Sequence, residues 1–324
     1  MGQATHVVGV DIGGTTIKVA AATDQGEVLS DVRSLTQRGD GQAIVEGILD
    51  TIGQAIQQAG LKPTDIAALG FGAPGGIDRT EGLWSGSTTI RLGGWFPLTS
   101  LVKERYGIPA TIDNDGNVAA LGEMRFGAGS NMQDLVYLTL GSGVGGAIII
   151  DGQVHYGKAG RRRAGEIGHM IVQKDGPRCG CGAHGCLEAL SSATAVIREA
   201  RAALQSGQPT LIQDLVENDP ARLNGEVVGR AAQQGDEIAL RIWRMVGEGL
   251  ATGVYSLAMI LAPQVVIIGG ALAQAGDLVF KPMFEKLDYE ASGRFNRAQV
   301  RMAALGERAG LIGSVTLALR MIGK

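Results

Sequence analysis

The sequence predicts an α/β protein made of two domains of similar plan. Three observations carry that expectation. The 324 residues exceed what a single hydrophobic core ordinarily organises. Short β-branched runs and stretches of helical spacing occur along the same chain. The opening pattern of strand, glycine turn and returning strand at His6 to Ala22 recurs at Leu135 to Ile150. This weak internal repeat suggests two α/β domains facing each other across a cleft.

The elements follow in order. His6 to Ile12 reads as a buried strand, Gly13-Gly14-Thr15 as a tight turn and Thr16 to Ala22 as the return, with Glu27 to Leu35 completing a meander. Ile44, Ile48, Ile52 and Ile56 recur every four residues, which predicts a helix over Gly41 to Ala59. Ile66 to Gly72 is a strand entering the loop Ala73 to Asp78, and Ala110 to Asp113 a strand followed by a helix from Asp115 to Phe126. Leu135 to Leu140 and Val144 to Ile150 form the second hairpin. Beyond residue 186 the chain turns helical, with a long helix from Asp236 to Leu261 stopped by Pro263. Val265 to Ile268 is a buried strand, Gln299 to Ala304 another, and a last helix runs from Arg308 to Met321.

Composition narrows the function classes. A net charge of −3 leaves no concentrated basic face for nucleic acid. The hydrophobic fraction is 45%, yet no run reaches the length of a membrane span. Met1 to Thr5 lacks the basic and apolar regions of a signal peptide. With three free thiols, the expected setting is cytoplasmic.

Glycine stands at 51 residues, about twice the usual share. Much of it falls directly after apolar runs, at Gly13-Gly14, Gly75-Gly76, Gly141 to Gly146 and Gly269-Gly270. Such turns bring backbone amides close to phosphate. Gly141-Ser142-Gly143-Val144-Gly145-Gly146 matches the dinucleotide fingerprint, but it runs into the strand Ala147 to Ile150 instead of opening a helix. No Walker-type loop is present. Asp11-Ile12-Gly13-Gly14-Thr15-Thr16-Ile17-Lys18 offers turn amides, hydroxyls, a cation and a carboxylate able to position hydrated Mg²⁺. An isolated hairpin of this kind also serves as a plain turn; its recurrence favours the phosphate reading.

All three cysteines, Cys179, Cys181 and Cys186, lie within eight residues, ten positions after His169. Alternation with glycine lets such a loop fold around one ion, and three thiolates with one imidazole suit tetrahedral zinc. An odd thiol count argues against a disulfide framework. The fourth ligand is His169 or His184. Three unmetallated thiols in a tight loop are the alternative.

Taken in order, the Asp11 to Lys18 hairpin, Glu166-Ile167-Gly168-His169 and Cys179-Gly-Cys181-Gly-x-x-Gly-Cys186-Leu-Glu188 resemble the ROK family (repressors, open reading frames and sugar kinases). The resemblance runs from Val7 past Leu311, and within the family it is most similar to bacterial ATP-dependent glucokinases. It implies the actin-like ATPase (ribonuclease H-like) fold. The small domain would be 1–114 plus a C-terminal helix at 308–324, and the large domain 115–307 with a zinc-binding loop at 169–188.

The resemblance also implies roles. Asp115 would be the general base that accepts the proton of a sugar 6-hydroxyl. Gly76, Asn114, Asp115, Glu166, His169 and Glu188 would bind a hexose, with glucose the first expectation. ATP and Mg²⁺ would be held by Asp11, Gly13, Gly14, Thr15, Thr16, Lys18, Gly141, Ser142, Gly143, Gly145, Gly269 and Gly270. Structural Zn²⁺ would be held by His169, Cys179, Cys181 and Cys186. Homo-oligomers, dimers or tetramers, are expected. The chain departs from the family in having Ser87-Thr88-Thr89-Ile90-Arg91 where an asparagine commonly precedes Gly94-Trp95. It also carries Arg161-Arg162-Arg163, a solvated run or an aid to drawing in an anionic nucleotide. N-acetylmannosamine, N-acetylglucosamine and fructose are the alternative substrates. A sugar-sensing regulator would need a DNA-binding segment ahead of the five residues that precede the first strand.

Overall fold

The computed structural model describes residues 5–157, 164–217, 219–291 and 300–324. Arg161 to Arg163 and Gln299 lie outside the described residues. Two compact units are present: Met1–Asn131, Tyr156–Arg163 and Ala304–Lys324 form one, Met132–His155 and Ala164–Ala303 the other.

The first unit is a five-stranded sheet between helices. Its strands are β1 (His6–Ile12), β2 (Thr16–Thr23), β3 (Val28–Leu35), β4 (Ile66–Ala73) and β8 (Ala110–Asn114), in the order β3-β2-β1-β4-β8. β1, β4 and β8 run parallel; β2 is antiparallel to β1, and β3 is antiparallel to β2. One face is covered by α1 (Gly41–Gln58), capped by Asp40, whose carboxylate accepts the Gln42 amide. The predicted isoleucines Ile44, Ile48, Ile52 and Ile56 are all buried there with Val8, Val10 and Val19. The opposite face takes the C-terminal helix α10 (Ala309–Met321), where Val7 and Ala68 meet Val315 and Ala318.

A small antiparallel sheet of β5 (Ile77–Asp78), β6 (Leu83–Gly86) and β7 (Arg91–Phe96), followed by α2 (Leu98–Tyr106), fills the stretch that the sequence pattern leaves undefined. Helix α3 (Asp115–Phe126) belongs to this first unit, where a boundary at residue 114 would have excluded it. The reason is close helix packing: a side chain at Gly313 of α10 would overlap the Val118 carbonyl of α3.

The second unit repeats the plan. β9 (Leu135–Leu140), β10 (Val144–Ile150), β11 (Gln153–Val154), β12 (Val265–Gly269) and β13 (Val300–Met302) lie in the order β11-β10-β9-β12-β13. As in the first sheet, the hairpin strands are antiparallel and the next two parallel. The internal repeat seen in the sequence is therefore a repeat of topology.

Helices α4 (Leu187–Ser191), α5 (Ala193–Gln205), α6 (Leu211–Leu215), α7 (Gly225–Gln233), α8 (Glu237–Leu261) and α9 (Asp277–Ala291) supply the rest. Their core joins Ile242, Val246, Leu250 and Val254 of α8 to Leu138, Val266 and Ile268 of the sheet. Asp236 caps α8 and also accepts the Leu211 amide, tying two helices through one carboxylate. Among the described residues no helix is long and apolar enough to cross a membrane.

Candidate active site

In the first unit the predicted residues gather at the carboxyl ends of three neighbouring parallel strands, the edge at which open α/β sheets present ligand sites. Gly13 and Gly14 follow β1, Gly75 and Gly76 follow β4, and Asn114 ends β8 with Asp115 directly after it. The Gly13 amide closes the hairpin on the Thr16 carbonyl at 3.0 Å, and Thr36 braces the Gly13 carbonyl at 2.7 Å. Gly14 and Thr15 are exposed at the tip. Lys18 faces Asp11 at 3.7 Å and donates to the Glu307 carbonyl at 3.0 Å. Burial raises the Asp11 carboxyl, and the Lys18 charge opposes that rise. Gly76 has both backbone groups engaged, its amide to Gly86 and its carbonyl to the Ser85 amide.

Asn114 caps α3 through its side chain, which accepts the Gly116 amide at 3.1 Å; Asp115 is the first helical residue and accepts the same amide at 2.8 Å. Asp115 therefore stands at a helix N-terminus, where the backbone dipoles favour negative charge. Asp113, which sequence reasoning passed over, is fully buried behind this pair. It accepts the Asn114 amide, the Asn117 side-chain amide and the Tyr156 hydroxyl, and pairs with Arg79 at 3.3 Å. The Asp113-Asn114-Asp115 run is a visible signal for it; nothing local marks Tyr156. Thr89 and Ser87 were also unassigned. Their hydroxyls meet at 3.1 Å, and Thr89 lies against Gly14 of the first turn, where a Cβ would sit 2.9 Å from its hydroxyl.

The second unit carries the corresponding turns. The Gly141 amide bonds to the Gly143 carbonyl at 2.9 Å, with Ser142 and Gly145 exposed. The start of α5 closes on this turn: the Ala193 amide donates to Gly141 and the Thr194 hydroxyl to Ser142. Gly269 and Gly270 end the adjacent parallel strand, and Gly270 (φ +90°) packs so tightly on Leu140 that any side chain would overlap its backbone. Just beyond lies a cavity of about 570 Å³ lined by Asn224, Glu226, Arg230, Trp243, Leu272 and Leu278, among others. Apolar walls with a few polar groups suit a nucleoside. Because the cavity is assembled from helices distant in sequence, no motif announces it.

His169, Cys179, Cys181 and Cys186 converge, with all ligand atoms within 4.8 Å of one another. The Cys181 and Cys186 sulfurs are 3.7 Å apart, and Cys179 Sγ lies 3.8 Å from His169 Nδ1. Zn–S bonds of about 2.3 Å put sulfurs about 3.8 Å apart at the corners of a tetrahedron. Donor chemistry and spacing both fit that ion. His184 turns away, its Nδ1 3.3 Å from the Gly176 carbonyl. Burial pushes the Cys186 thiol up to about 12 and raises Cys179, so metal uptake would displace protons. Glu166 is exposed beside the short turn Ile167–His169. Glu188, on α4, reaches the Val144 amide at 3.0 Å.

Two sheets of one order, each with glycine turns at the ends of its parallel strands, define an α/β protein of the actin-like ATPase class. The chain belongs to the ROK family, whose profile matches residues 7–321. It is 36% identical to a glucokinase of Halalkalibacterium halodurans over 94% of this chain and 92% of that one. Among solved structures it resembles a ROK hexokinase from Thermus thermophilus, with a TM-score of 0.85 and 30% identity over 98% of this chain and 100% of that chain. It also resembles a ROK family glucokinase from Streptomyces griseus in complex with glucose and AMPPNP, with a TM-score of 0.76 and 34% identity over 97% and 99% of the two chains.

Proposed function

We propose that this chain is an ATP-dependent hexose kinase that phosphorylates the 6-hydroxyl of glucose. The observation that carries the reading is Asp115, a carboxylate at the N-terminus of α3 beside the glycine turns of β1 and β4. Similarity to the glucose- and AMPPNP-bound relative supports both substrates. Asp115 takes the proton of the 6-hydroxyl as its oxygen bonds to the γ-phosphorus; the bond to the bridging oxygen breaks and ADP leaves. Asn114, Glu166, His169 and Glu188 answer the hydroxyls of the sugar, and Gly76 contributes from the turn after β4.

The turns at Gly13 to Thr16, Gly141 to Gly145 and Gly269-Gly270 hold phosphates, and the cavity beside Gly270 takes the nucleoside. Asp11 would hold hydrated Mg²⁺, which would supply positive charge against the phosphates, and the Lys18 charge opposes the rise that burial imposes on that carboxyl. His169, Cys179, Cys181 and Cys186 would hold structural zinc, which would fix the neighbouring segments that bear Glu166 and Glu188. Cysteines kept out of disulfides fit the reducing cytoplasm, and the protein works as a dimer or tetramer.

The test is ADP release in a coupled assay with glucose, mannose, fructose, N-acetylmannosamine and N-acetylglucosamine at equal concentration. Glucose is expected to give the highest kcat/KM. A flat trace with every sugar rejects the proposal.

A further inference from the structure

Glu188 is placed oddly for a residue whose only task is to meet a sugar. One carboxylate oxygen accepts the backbone amide of Val144 at 3.0 Å, and the other lies 3.6 Å from Cys179 Sγ. Val144 is the residue at which the Gly141–Gly143 turn becomes β10. The approach requires glycine at 143, because a Cβ there would overlap the carboxylate. Val144 is held from its other side as well: its carbonyl abuts Gly168, which leaves no room for a side chain and precedes the ligand candidate His169. Gly146 is pressed equally closely by Ile167, whose Cδ1 would be 2.7 Å from an added Cβ.

Both grips lead back to the thiolate cluster by short covalent paths. Cys186 is the N-cap of α4, and Glu188 is the second residue of that helix. The Leu187 amide donates to Met170 and the Val172 amide to Gly185, lacing the segment after His169 to the segment around Cys186. We propose that Glu188 is a positioning residue that couples the cluster to the glycine turn, so that a metal held by His169, Cys179, Cys181 and Cys186 sets the shape of Gly141 to Gly145. Metal occupancy then governs nucleotide affinity, beyond its effect on the sugar-facing side chains. The nucleotide consequence rests on the reading of this turn as a phosphate site; the coupling itself does not.

Amide hydrogen exchange tests the coupling without any substrate. In zinc-loaded protein the peptide spanning 141–146 is expected to be protected. Removing the metal by chelation, or making Glu188→Ala, is expected to raise its exchange about tenfold, while the 13–16 turn of the first unit stays unchanged as an internal control. Glu188→Gln keeps an acceptor oxygen for the Val144 amide and should restore protection, which loss of a sugar contact would not predict. Gly143→Ala displaces the carboxylate yet leaves the four ligand candidates intact. It should retain stoichiometric zinc and still exchange fast, so the test survives if stripped protein unfolds. Calorimetry with AMPPNP should show binding weakened about tenfold in the fast-exchanging forms. Unchanged exchange at 141–146 in both Glu188→Ala and Gly143→Ala overturns the proposal. Faster exchange with AMPPNP affinity unaltered upholds the coupling and overturns instead the assignment of this turn to phosphate.

Discussion

The Tyr156 hydroxyl donates to Asp113 Oδ2 at 2.5 Å, directly behind the strand end that carries Asn114 and Asp115. The Arg79 guanidinium completes the arrangement, lying 3.4 Å above the Tyr156 ring and paired with the same carboxylate. Burial, and after it the Asp113 charge, raise the phenol above its ordinary value near 10. The sign of the linkage follows. Below pH 10 both folded and unfolded tyrosine are protonated; above it the unfolded residue ionises while the folded one keeps its proton. The unfolded state then binds fewer protons, and stability falls as pH rises. Tyr156→Phe is expected to cost about 1–3 kcal/mol at neutral pH by stripping a partner from a buried carboxylate. The deficit should shrink as pH rises above about 10. Urea unfolding of both proteins below and above that pH checks it, and a deficit independent of pH would show that the phenol does not titrate with folding.

Asp115→Asn removes the proposed base but keeps the shape of the residue and its acceptor for the Gly116 amide, so α3 should start in the same place. Turnover is expected to drop by about 10²- to 10⁴-fold, with glucose affinity by calorimetry little altered. A variant with near-normal kcat would remove Asp115 from the chemistry.

What the sequence disclosed was the part of the fold written in local pattern. Both hairpins, the isoleucine-spaced helix, α3 and the long α8 lie within a residue or two of where periodicity places them. The small sheet β5-β6-β7 escaped because its strands are short, and Gly93-Gly94 interrupts the alternation in β7. Thiol crowding made the group of candidate metal ligands legible, yet spacing alone could not choose between two histidines. Glycine was only partly readable. Its pairs mark turns, whereas single residues such as Gly9, Gly70 and Gly313 mark places where backbones touch, and those contacts join positions hundreds of residues apart.

Gly70 turns that distinction into a measurement. A Cβ there would overlap the Ser314 carbonyl and stand 2.9 Å from the Ala318 amide, both backbone atoms of α10 that no rotamer change can move. Gly70→Ala is expected to destabilise the first unit by about 1–3 kcal/mol or more. Gly94 meets nothing within 4 Å, so Gly94→Ala should stay within about 0.5 kcal/mol of the parent. Equal midpoints in denaturant for the two variants would contradict the close sheet–helix packing.

The two histidines near the cysteines separate the metal assignment from its alternative. His169 Nδ1 faces the sulfurs, while His184 Nδ1 lies 3.3 Å from the Gly176 carbonyl and forms a bridge pair with Arg178. Zinc bound by the quartet should appear at one ion per chain, survive His184→Ala and be lost more readily from His169→Ala. Competition with a chromophoric chelator reads the difference, expected at about tenfold or more. Metal removal should also lower the thermal midpoint, because ligands brought together only by folding make metal affinity part of folding free energy. If His184→Ala releases the ion as readily as His169→Ala, the tetrahedron is drawn from different corners. If wild-type protein carries no zinc and keeps its midpoint under chelation, the thiols are simply packed.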